Sequence, residues 1–566
     1  MKKLLFLLVL LVPVGFIACE FFLESRDFKI TFDANGGTGG PTSVTATHSK
    51  PMPTLSAHAP VRTGYFFIGY YDTDAQTGGT RYYFSDLTSI TDWDKKHAAT
   101  LYARWLPTTE PSIVSMVRSS EARASDLTPG DIKELVVQAV ELAGGLDDII
   151  KTGDTVVLKP NLITTHYNWG TGATIPVTVN GVCTDWRVVK AVSEIVRDII
   201  GPAGRILVIE GSGSGISTVQ NFINAGYTPT NLDKVDQIIA LDNEGTWGDK
   251  NSPDVTRVEL VNFLYNTASG TYYNYYKNDG VYYVNKKMYE ADAIICLPVL
   301  KNHWNAVVTG SIKNMAIGAA PPRIYGVSST NIGRNSMVNH DTISFHQWMA
   351  DYFSVLPADF TIMDALQGLE RGPLPSAAGA SALAGFQKNM RTILASKDAL
   401  AIDIVQTNIM NWDYSTVRYL EYLTERGRAG VNPNKPEVLL NGYPKNIIVR
   451  GNVTVGGTNG IRRNFAGNLP MSGGNPLSAA QLTPPTLSIV SASFENQNLL
   501  LNLNVSNNTD KVDIFINNEY FESYNEDMTN INIDASTVGT GTHNIMVRSY
   551  NRFMSHNEAS ITRTKN

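Results

Sequence analysis

The stretch of the chain richest in chemically useful side chains lies between residues 301 and 314. An apolar run, 293–300, leads directly to Lys301 and His303, and Lys313 follows soon after. A lysine beside another cation loses its proton more readily and can act as a base or an amine nucleophile. A histidine can exchange protons or bind a metal. We therefore expect Lys301, His303 and Lys313 to be catalytic, although His303 can also be a hydrogen-bonded histidine in a partly buried loop.

A second group of polar residues offers contacts for an anion. Lys159 and Asn161 leave a short apolar stretch, 155–158, and Asn302 and Asn314 accompany the later lysines. Ammonium groups attract anions, and side-chain amides donate hydrogen bonds to them. We therefore expect these four residues to bind a small anionic ligand. The alternative for Lys159 is a lysine in a solvated loop.

A glycine- and serine-rich loop, 211–215, follows the predicted strand 205–210. It lacks the spacing of a dinucleotide-binding motif, because Ile216 stands where the third glycine belongs. Backbone N–H groups of such a loop can still bind a phosphate or a carboxylate, which makes Gly211 a candidate ligand-binding residue. A flexible turn is the simpler interpretation.

Carboxylates follow in the second half of the same region. Asp364 ends an apolar stretch, Glu370 lies in the turn region after it, and Asp403 falls inside an apolar helical segment. A buried and unpaired carboxylate is costly, so Asp403 needs a lysine, a metal or a helix end to cap. Together with His303, the three carboxylates can hold a divalent metal. We therefore expect Asp364, Glu370 and Asp403 to be metal ligands.

The elements that must position these residues follow an alternating pattern of strands and helices. Thr128 can cap a helix that has Pro129 in its first turn and Asp131 shortly after. Further on, a strand at 155–158, a helix at 188–199 and a strand at 205–210 indicate a parallel pair with a crossover helix. Such sheets bind ligands at the carboxyl ends of their strands, where the polar residues described above lie.

Residues 114–430 resemble the bacterial and archaeal family catalogued as domain of unknown function 362. The phrases that carry the resemblance occur in family order at 157–162, 292–303, 309–314, 362–373 and 396–403. One departure is Asn302, where relatives often carry threonine. The resemblance implies an α/β domain whose activity is not established. A weaker analogy, at the level of the fold alone, is to nickel-pincer lactate racemase.

Composition excludes several other classes of protein. Some relatives in this family carry iron–sulfur modules, but the 566 residues include 3 cysteines, so we expect no iron–sulfur cluster. The net charge of −6 leaves no basic field for nucleic acid. Cys296 lies in an apolar run and is expected to be a core thiol, while a disulfide with Cys183 stays open.

The amino terminus predicts export. Two lysines precede an apolar run, 4–17, that is short for a membrane span, and the run leads to Ala18 and Cys19. This pattern resembles a bacterial lipoprotein signal peptide, 1–18, after which Cys19 would carry lipid. Phe16 departs from the leucine that the pattern prefers. The alternative is an ordinary secretory signal. Both predict an exported protein, and lipidation adds a membrane anchor facing the periplasm or the cell exterior.

Two β-rich segments flank the central region. Residues 28–106 resemble the internalin-type B-repeat of exposed bacterial proteins, and their aromatic residues are expected to form a core, with an exposed adhesive patch as the alternative. Residues 461–485 are rich in glycine and proline and predict a linker. Residues 486–566 alternate as strands do and predict an immunoglobulin-like β-sandwich.

The sequence therefore predicts a multidomain protein with a central α/β domain, 112–460, that has a mainly parallel sheet between these two β modules. The expected function is binding of a small anionic ligand by a lipid-anchored protein, with catalysis of an unidentified reaction and a divalent metal as a candidate cofactor. The alternative is a non-catalytic surface or adhesion protein whose β modules serve as a stalk or contact proteins or glycans.

Overall fold

The computed structural model describes residues 27–566 with internal gaps. The gaps are residues 56–57, 63–64, 76–78, 84–86, 88, 90–91, 108–110, 168–171, 212–215, 243–249, 262, 266–279, 326–342, 374–379 and 467–473. The expected signal peptide and Cys19 lie outside the described residues. The chain divides into two compact units, one ending at Trp105 and one beginning at Leu106. Within the described residues no helix is long and apolar enough to cross a membrane.

The first unit is a β-rich module, as predicted. Its strands are β1 (Asp27–Asp33), β2 (Ser43–Thr47), β3 (Tyr65–Tyr71), β4 (Arg81–Tyr83) and β5 (Ala99–Pro107). They form one sheet in the order β2-β1-β5-β3-β4. Tyr70, Tyr83, Trp93 and Trp105 are all buried in its apolar cluster. These aromatic rings are therefore core residues, as expected, and do not form an adhesive patch.

The second unit begins with the α/β domain. Its strands are β6 (Ser112–Arg118), β7 (Thr155–Pro160), β8 (Arg205–Glu210), β9 (Gln237–Ala240), β10 (Val255–Glu259), β11 (Val281–Asn285), β12 (Ala293–Leu297), β13 (Val299–His303), β14 (Val307–Thr309), β15 (Phe360–Leu369), β16 (Gln387–Ser396), β17 (Arg428–Ala429), β18 (Val438–Leu439) and β19 (Ile447–Gly451). Its helices are α1 (Pro129–Leu142), α2 (Trp186–Ile200), α3 (Thr218–Asn224), α4 (Lys286–Glu290), α5 (Ser311–Gly318), α6 (Pro322–Tyr325), α7 (Ser344–Val355), α8 (Ala380–Phe386), α9 (Ala399–Ile409) and α10 (Arg418–Arg426).

One large sheet organises this domain. Its order is β19-β6-β16-β15-β12-β7-β8-β9, and β13 joins β15 and pairs with β14. The pairs from β15 to β9 are parallel, as is β19 with β6, whereas β16 is antiparallel to both of its neighbours. The prediction of an α/β domain with a mostly parallel sheet is therefore confirmed.

Both faces of the sheet are covered by helices. On one face, α1 and α2 share an apolar cluster with alternate strand residues such as Val156, Leu158 and Ile295. The capping box at Thr128 and Asp131 starts α1, as the sequence predicted. Successive strand residues point to opposite faces, and the other face, which carries Cys296, packs against α5.

The carboxyl-terminal segment follows a short helix, α11 (Ala479–Leu482), and consists of strands. They are β20 (Leu487–Glu495), β21 (Asn498–Val505), β22 (Lys511–Ile516), β23 (Glu519–Tyr524), β24 (Asn530–Asp534), β25 (Gly541–Tyr550) and β26 (His556–Lys565). One sheet has the order β20-β21-β24 and the other β23-β22-β25-β26. Both contribute to a single apolar cluster.

The described part of the segment predicted to be a linker, 461–485, is packed against the α/β domain. The backbone N–H of Leu477 donates to the oxygen of Asn411 at 3.0 Å, and the side chain of Gln481 donates to Asp413 at 2.6 Å. Phe465 is fully buried. The described residues of this predicted linker are thus anchored to the α/β domain, because apolar and amide side chains are interspersed among the glycines and prolines.

Candidate functional site

The candidate site lies where the order of the parallel strands reverses. The chain passes from β7 outward to β8 and β9, and then returns to place β12 on the other side of β7. Lys159 and Cys296 are direct neighbours in the register of β7 and β12. Diverging connections leave room beyond the strand ends at such a reversal, which is the usual ligand site of open α/β sheets.

Lys159 is fully buried at this point and is paired with an acid. Its ammonium group contacts the carboxylate of Glu210, which ends the adjacent strand β8. The same ammonium donates to the oxygen of Pro160 at 2.8 Å and to Oδ1 of Asn314 at 3.1 Å. Lys159 is therefore not a solvated loop lysine, because a buried charge needs such a set of partners.

Two asparagines connect Lys159 to a second buried lysine. Asn161 Nδ2 donates to Asn314 Oδ1 at 3.1 Å, so this oxygen serves both Asn161 and Lys159. Asn161 Oδ1 in turn accepts a hydrogen bond from Lys301 Nζ at 2.8 Å. These bonds also fix the orientation of each amide. Four residues from two distant stretches of the sequence thus form one buried polar chain, which we call the lysine–asparagine network: Lys159, Asn314, Asn161 and Lys301.

Lys301 differs from Lys159 in its surroundings. It is fully buried, and its second hydrogen bond goes to the backbone oxygen of Val182 at 2.5 Å. Burial lowers the pKa of Lys301 to about 8, partly offset by Cys183 and Glu210. The amine form of Lys301 is therefore accessible close to neutral pH, as the sequence analysis considered for a lysine base or nucleophile.

The two cysteines beside this network are unreactive thiols. Both are free and buried. Burial raises the pKa of Cys183 to about 12 and that of Cys296 to about 11. Cys296 accepts a hydrogen bond from Asn314 Nδ2 at 3.3 Å and is a core thiol, as expected.

Asp403 holds the helix that carries Asn314. One oxygen of its buried carboxylate accepts the backbone N–H of Ser311 at 2.8 Å and the other that of Ile312 at 3.1 Å. These N–H groups belong to the first turn of α5 and have no partner within the helix. Of the three roles that the sequence left open for Asp403, the structure shows the capping role.

His303 shapes the turn between β13 and β14. Its Nδ1 accepts the backbone N–H groups of Asn305 at 3.2 Å and Ala306 at 3.3 Å, which leaves Nε2 to carry the ring proton of the neutral form. The ring stacks on Phe345. Nδ1 therefore accepts hydrogen bonds within the turn, and the acid–base role of His303 stays a prediction.

Of the remaining predicted ligand-binding and catalytic residues, some lie beside the network and others only hold parts of the fold together. Gly211 donates its N–H to Glu210 at 2.8 Å and so adjoins the network, while Lys313 is buried in the first turn of α5. Asn302 donates to the oxygen of Ala466 at 2.9 Å and accepts the N–H of Gly372 at 2.8 Å. Its amide holds two loops together in place of contacting the lysines.

The expected metal site is not formed in the part of the chain that the structure describes. Asp364 accepts the N–H groups of Asp185 and Leu366, and Glu370 pairs with Lys388 at 3.0 Å. The carboxylate of Asp403 accepts hydrogen bonds from the backbone N–H groups at the start of α5. The described residues contain no group of three potential ligands that could hold a metal ion. The described residues do not bring Asp364, Glu370 and Asp403 together as one ligand group, because each carboxylate accepts hydrogen bonds from a different set of backbone or lysine donors.

Sequence reasoning missed two residues of the site. Glu210, the partner of Lys159, ends an apolar strand. A carboxylate at that position could have been recognised from the sequence as a candidate site residue. A Cβ atom at Gly318 would lie 2.4 Å from Lys159 Nζ, so the ammonium group occupies the space that any larger residue would fill. A glycine at the end of a short helix carries no such signal in the sequence alone.

Comparisons with known proteins identify two domains in the chain. Residues 156–408 match the family described as domain of unknown function (DUF362), and residues 28–104 match the Listeria-Bacteroides repeat domain. The chain thus contains one domain of each kind, and the repeat is typical of surface proteins. Both expected resemblances are confirmed at the level of the domain.

One curated relative is the Thylakoid-associated protein sll1697 of Synechocystis sp. It is 25% identical over 339 residues, which cover 59% of this chain and 85% of the relative. Among solved structures, the lactate racemase apoprotein from Thermoanaerobacterium thermosaccharolyticum matches at 14% identity and a TM-score of 0.24, over 46% of this chain and 54% of that one. The fibronectin(III)-like modules of Clostridium thermocellum CbhA match at 18% identity and a TM-score of 0.13, over 14% of this chain and 46% of theirs. The chain spans about half the length of these two solved structures.

Proposed function

We propose that the central α/β domain binds a small anionic ligand beside the lysine–asparagine network and catalyses a reaction on it. The observation that carries the proposal is the chain of hydrogen bonds from Lys159 through Asn314 and Asn161 to Lys301 at the reversal of strand order. A buried network of this kind is costly to assemble, and a core made of apolar residues would be at least as stable. The network lies at the strand ends, where open α/β sheets bind ligands, so ligand binding would explain why the protein keeps it.

Charge favours an anion over a cation as the ligand. Lys159 and Lys301 are buried in β7 and β13, and the carboxylate of Glu210 is hydrogen-bonded to Lys159. No carboxylate among the described residues is hydrogen-bonded to Lys301, because its two acceptors are an amide and a backbone oxygen. For an anion that binds beside Lys301, the favourable interaction with the lysine would therefore exceed the free-energy cost of removing water from the anion.

Ligand-induced stabilisation tests this proposal. We expect inorganic phosphate or a small carboxylate to raise the melting temperature of the full chain in a saturable way. The shift should disappear in Lys301→Met and persist in Lys397→Met, because Lys397 is a surface lysine paired with Asp148. Each variant must first show the circular dichroism spectrum of the parent. A screen of carboxylated and phosphorylated metabolites without any saturable shift would overturn the proposal.

We further propose that the protein is exported and anchored by lipid on Cys19. The charged start, the short apolar run and the small residue before the cysteine support this location. The repeat at 28–104, typical of surface proteins, agrees with it. Metabolic labelling with a radioactive fatty acid should mark the parent and leave Cys19→Ala unlabelled. Equal labelling of both would contradict lipidation, and recovery of the parent from the cytoplasm would contradict export.

The alternative function as a surface-binding protein is favoured by the same repeat. The immunoglobulin-like arrangement proposed for residues 486–566, two sheets around one apolar cluster, fits modules of this kind. The phosphate experiment separates the two proposals, since a protein that binds partners only through its β modules gains no stability from small anions at Lys301.

A further inference from the structure

The two buried lysines of the network differ in the number of acceptors around them. Lys159 Nζ faces three acceptors, namely Pro160 O, Asn314 Oδ1 and the Glu210 carboxylate. Lys301 Nζ faces two in the part of the chain that the structure describes, Asn161 Oδ1 and Val182 O. Both lysines are fully buried.

This difference indicates which form of each lysine its surroundings can accommodate. An ammonium group has three N–H bonds, and the three acceptors around Lys159, one of them charged, match that form. A neutral amine has two N–H bonds and one lone pair. The two uncharged acceptors of Lys301 match the amine and leave its lone pair unused. Burial lowers the pKa of Lys301 to about 8, so the amine form is accessible near neutral pH although the ammonium form still predominates there.

We infer that Lys301 is an amine nucleophile that forms an imine with a small 2-oxo acid. A 2-oxo acid carries the anionic group that the proposed function requires and places a carbonyl carbon directly beside it. This inference rests on the proposed function and names the class of substrate for that same site.

The chemistry of imine formation balances without any further reactant. The lone pair of Nζ attacks the carbonyl carbon, and the carbonyl oxygen takes up the two amine protons and leaves as water. The product is a C=N bond between the substrate and Lys301. The network helps this step because Asn161 and Val182 orient the two N–H bonds, so that the lone pair has a fixed direction.

Reductive trapping tests the inference on the full chain. The protein is incubated with pyruvate or glyoxylate and sodium borohydride, which adds hydride to the imine carbon while solvent protonates the nitrogen. Peptide mass spectrometry then locates the adduct. We expect modification of Lys301 at least about tenfold faster than of Lys159 or of the surface lysine Lys397. Lactate, which has no carbonyl group, should give no adduct.

The dependence on pH provides a second readout that needs no variant. The trapping rate at Lys301 should rise between about pH 7 and pH 9, because the amine fraction grows as Lys301 loses its proton. Lys301→Met should abolish the selective adduct, and Lys301→Arg, which keeps a cation without a nucleophile, should abolish it as well.

Failure of the inference can be told apart from failure of the proposed function. If phosphate stabilises the protein through Lys301 but no oxo acid is trapped there, the imine proposal is wrong and the anion site stands. Adducts spread equally over surface lysines would also overturn the inference. If neither phosphate nor any oxo acid acts at Lys301, both proposals fall.

Discussion

The carboxylate of Asp403 accepts the backbone N–H of Ser311 at 2.8 Å, although the two residues are 92 positions apart. With this bond, a residue inside α9 closes the amino end of α5, the helix that presents Asn314 to Lys159 and Asn161. The position of the network therefore depends on a contact made outside it.

Replacing Asp403 should loosen this helix. Asp403→Ala leaves two buried N–H groups without a partner, and we expect the free energy of unfolding to fall by about 2–4 kcal/mol. Asp403→Asn keeps one acceptor oxygen and should cost about half as much. Urea denaturation followed by circular dichroism measures both values. Parent-like stability of the alanine variant would show that the cap contributes little.

Gly318 should tolerate no side chain. A Cβ there would lie 2.4 Å from Lys159 Nζ and 3.1 Å from Asn314 Oδ1, and Lys159 cannot swing away because its ammonium group is buried and bonded on several sides. We expect Gly318→Ala to cost about 1–3 kcal/mol of stability.

Gly130 provides the matched control for that substitution. It also lies in a helix, and the nearest atom to a Cβ there is Thr128 Oγ1 at 3.6 Å. Gly130→Ala should be neutral or stabilise the protein by up to about 1 kcal/mol. Equal thermal stabilities of the two alanine variants would argue against a tight fit around Lys159.

Asp364 should make stability depend on pH. Burial, with Asp185 as the next cause, raises the pKa of Asp364 to about 7, whereas an unfolded aspartate titrates near pH 4. The folded protein thus holds this proton more tightly, so its contribution is complete below about pH 4 and is lost as the pH rises towards 7. The free energy of unfolding should fall over that window by up to about 4 kcal/mol from this group.

Asp364→Asn should flatten this dependence when denaturation is measured at several pH values. Asp233 provides a control of opposite sign, because hydrogen bonds from Lys190 and Lys234 lower its pKa to about 2. Its contribution is present at neutral pH and is lost in strong acid. An unchanged pH slope in Asp364→Asn would contradict the assignment.

Arg462 should couple the carboxyl-terminal sheets to the α/β domain. Its guanidinium group donates to the oxygen of Asn408 at 3.0 Å, to Ser555 Oγ at 2.9 Å and to the oxygen of Phe553. We expect Arg462→Ala to cost about 2–4 kcal/mol, because charged donors are lost and buried oxygens are left unpaired. Calorimetry should show a lower or split transition.

The control for Arg462 is Arg257, an exposed residue whose partner Glu259 is also exposed. Arg257→Ala should change stability by less than about 0.5 kcal/mol. If the Arg462 and Arg257 variants melted alike, the carboxyl-terminal sheets would be held by other contacts.

Local signals in the sequence predicted much of the fold. The capping box at Thr128 and the alternation of strands and helices depend on neighbouring residues, so they can be recognised without coordinates. The convergence of Lys159 and Lys301 followed from the rule that strand ends of a parallel sheet share one edge. The burial of the first module's aromatic rings was likewise expected from its alternating pattern.

Choices among partners that are distant in the chain could not be predicted. The sequence allowed Asp403 to meet a lysine, a metal or a helix end, and only the packing of α9 against α5 selects the helix end. In the same way, the composition of residues 461–485 indicates flexibility, whereas the anchoring of Leu477 depends on a surface formed by Asn411. Such pairings are set by tertiary geometry, which no local pattern encodes.

Strand β6 lies between β16 and β19, so both of its hydrogen-bonding edges are filled by segments that are synthesised far later. The domain therefore cannot mature from its amino end as the polypeptide emerges, because its earliest strand must wait until Gly451 has been made. Because the strands that pair with β6 come late in the sequence, the sheet of a nascent chain stays incomplete for most of its synthesis. During that delay the apolar strands of the sheet are exposed, and a chaperone would have to shield them.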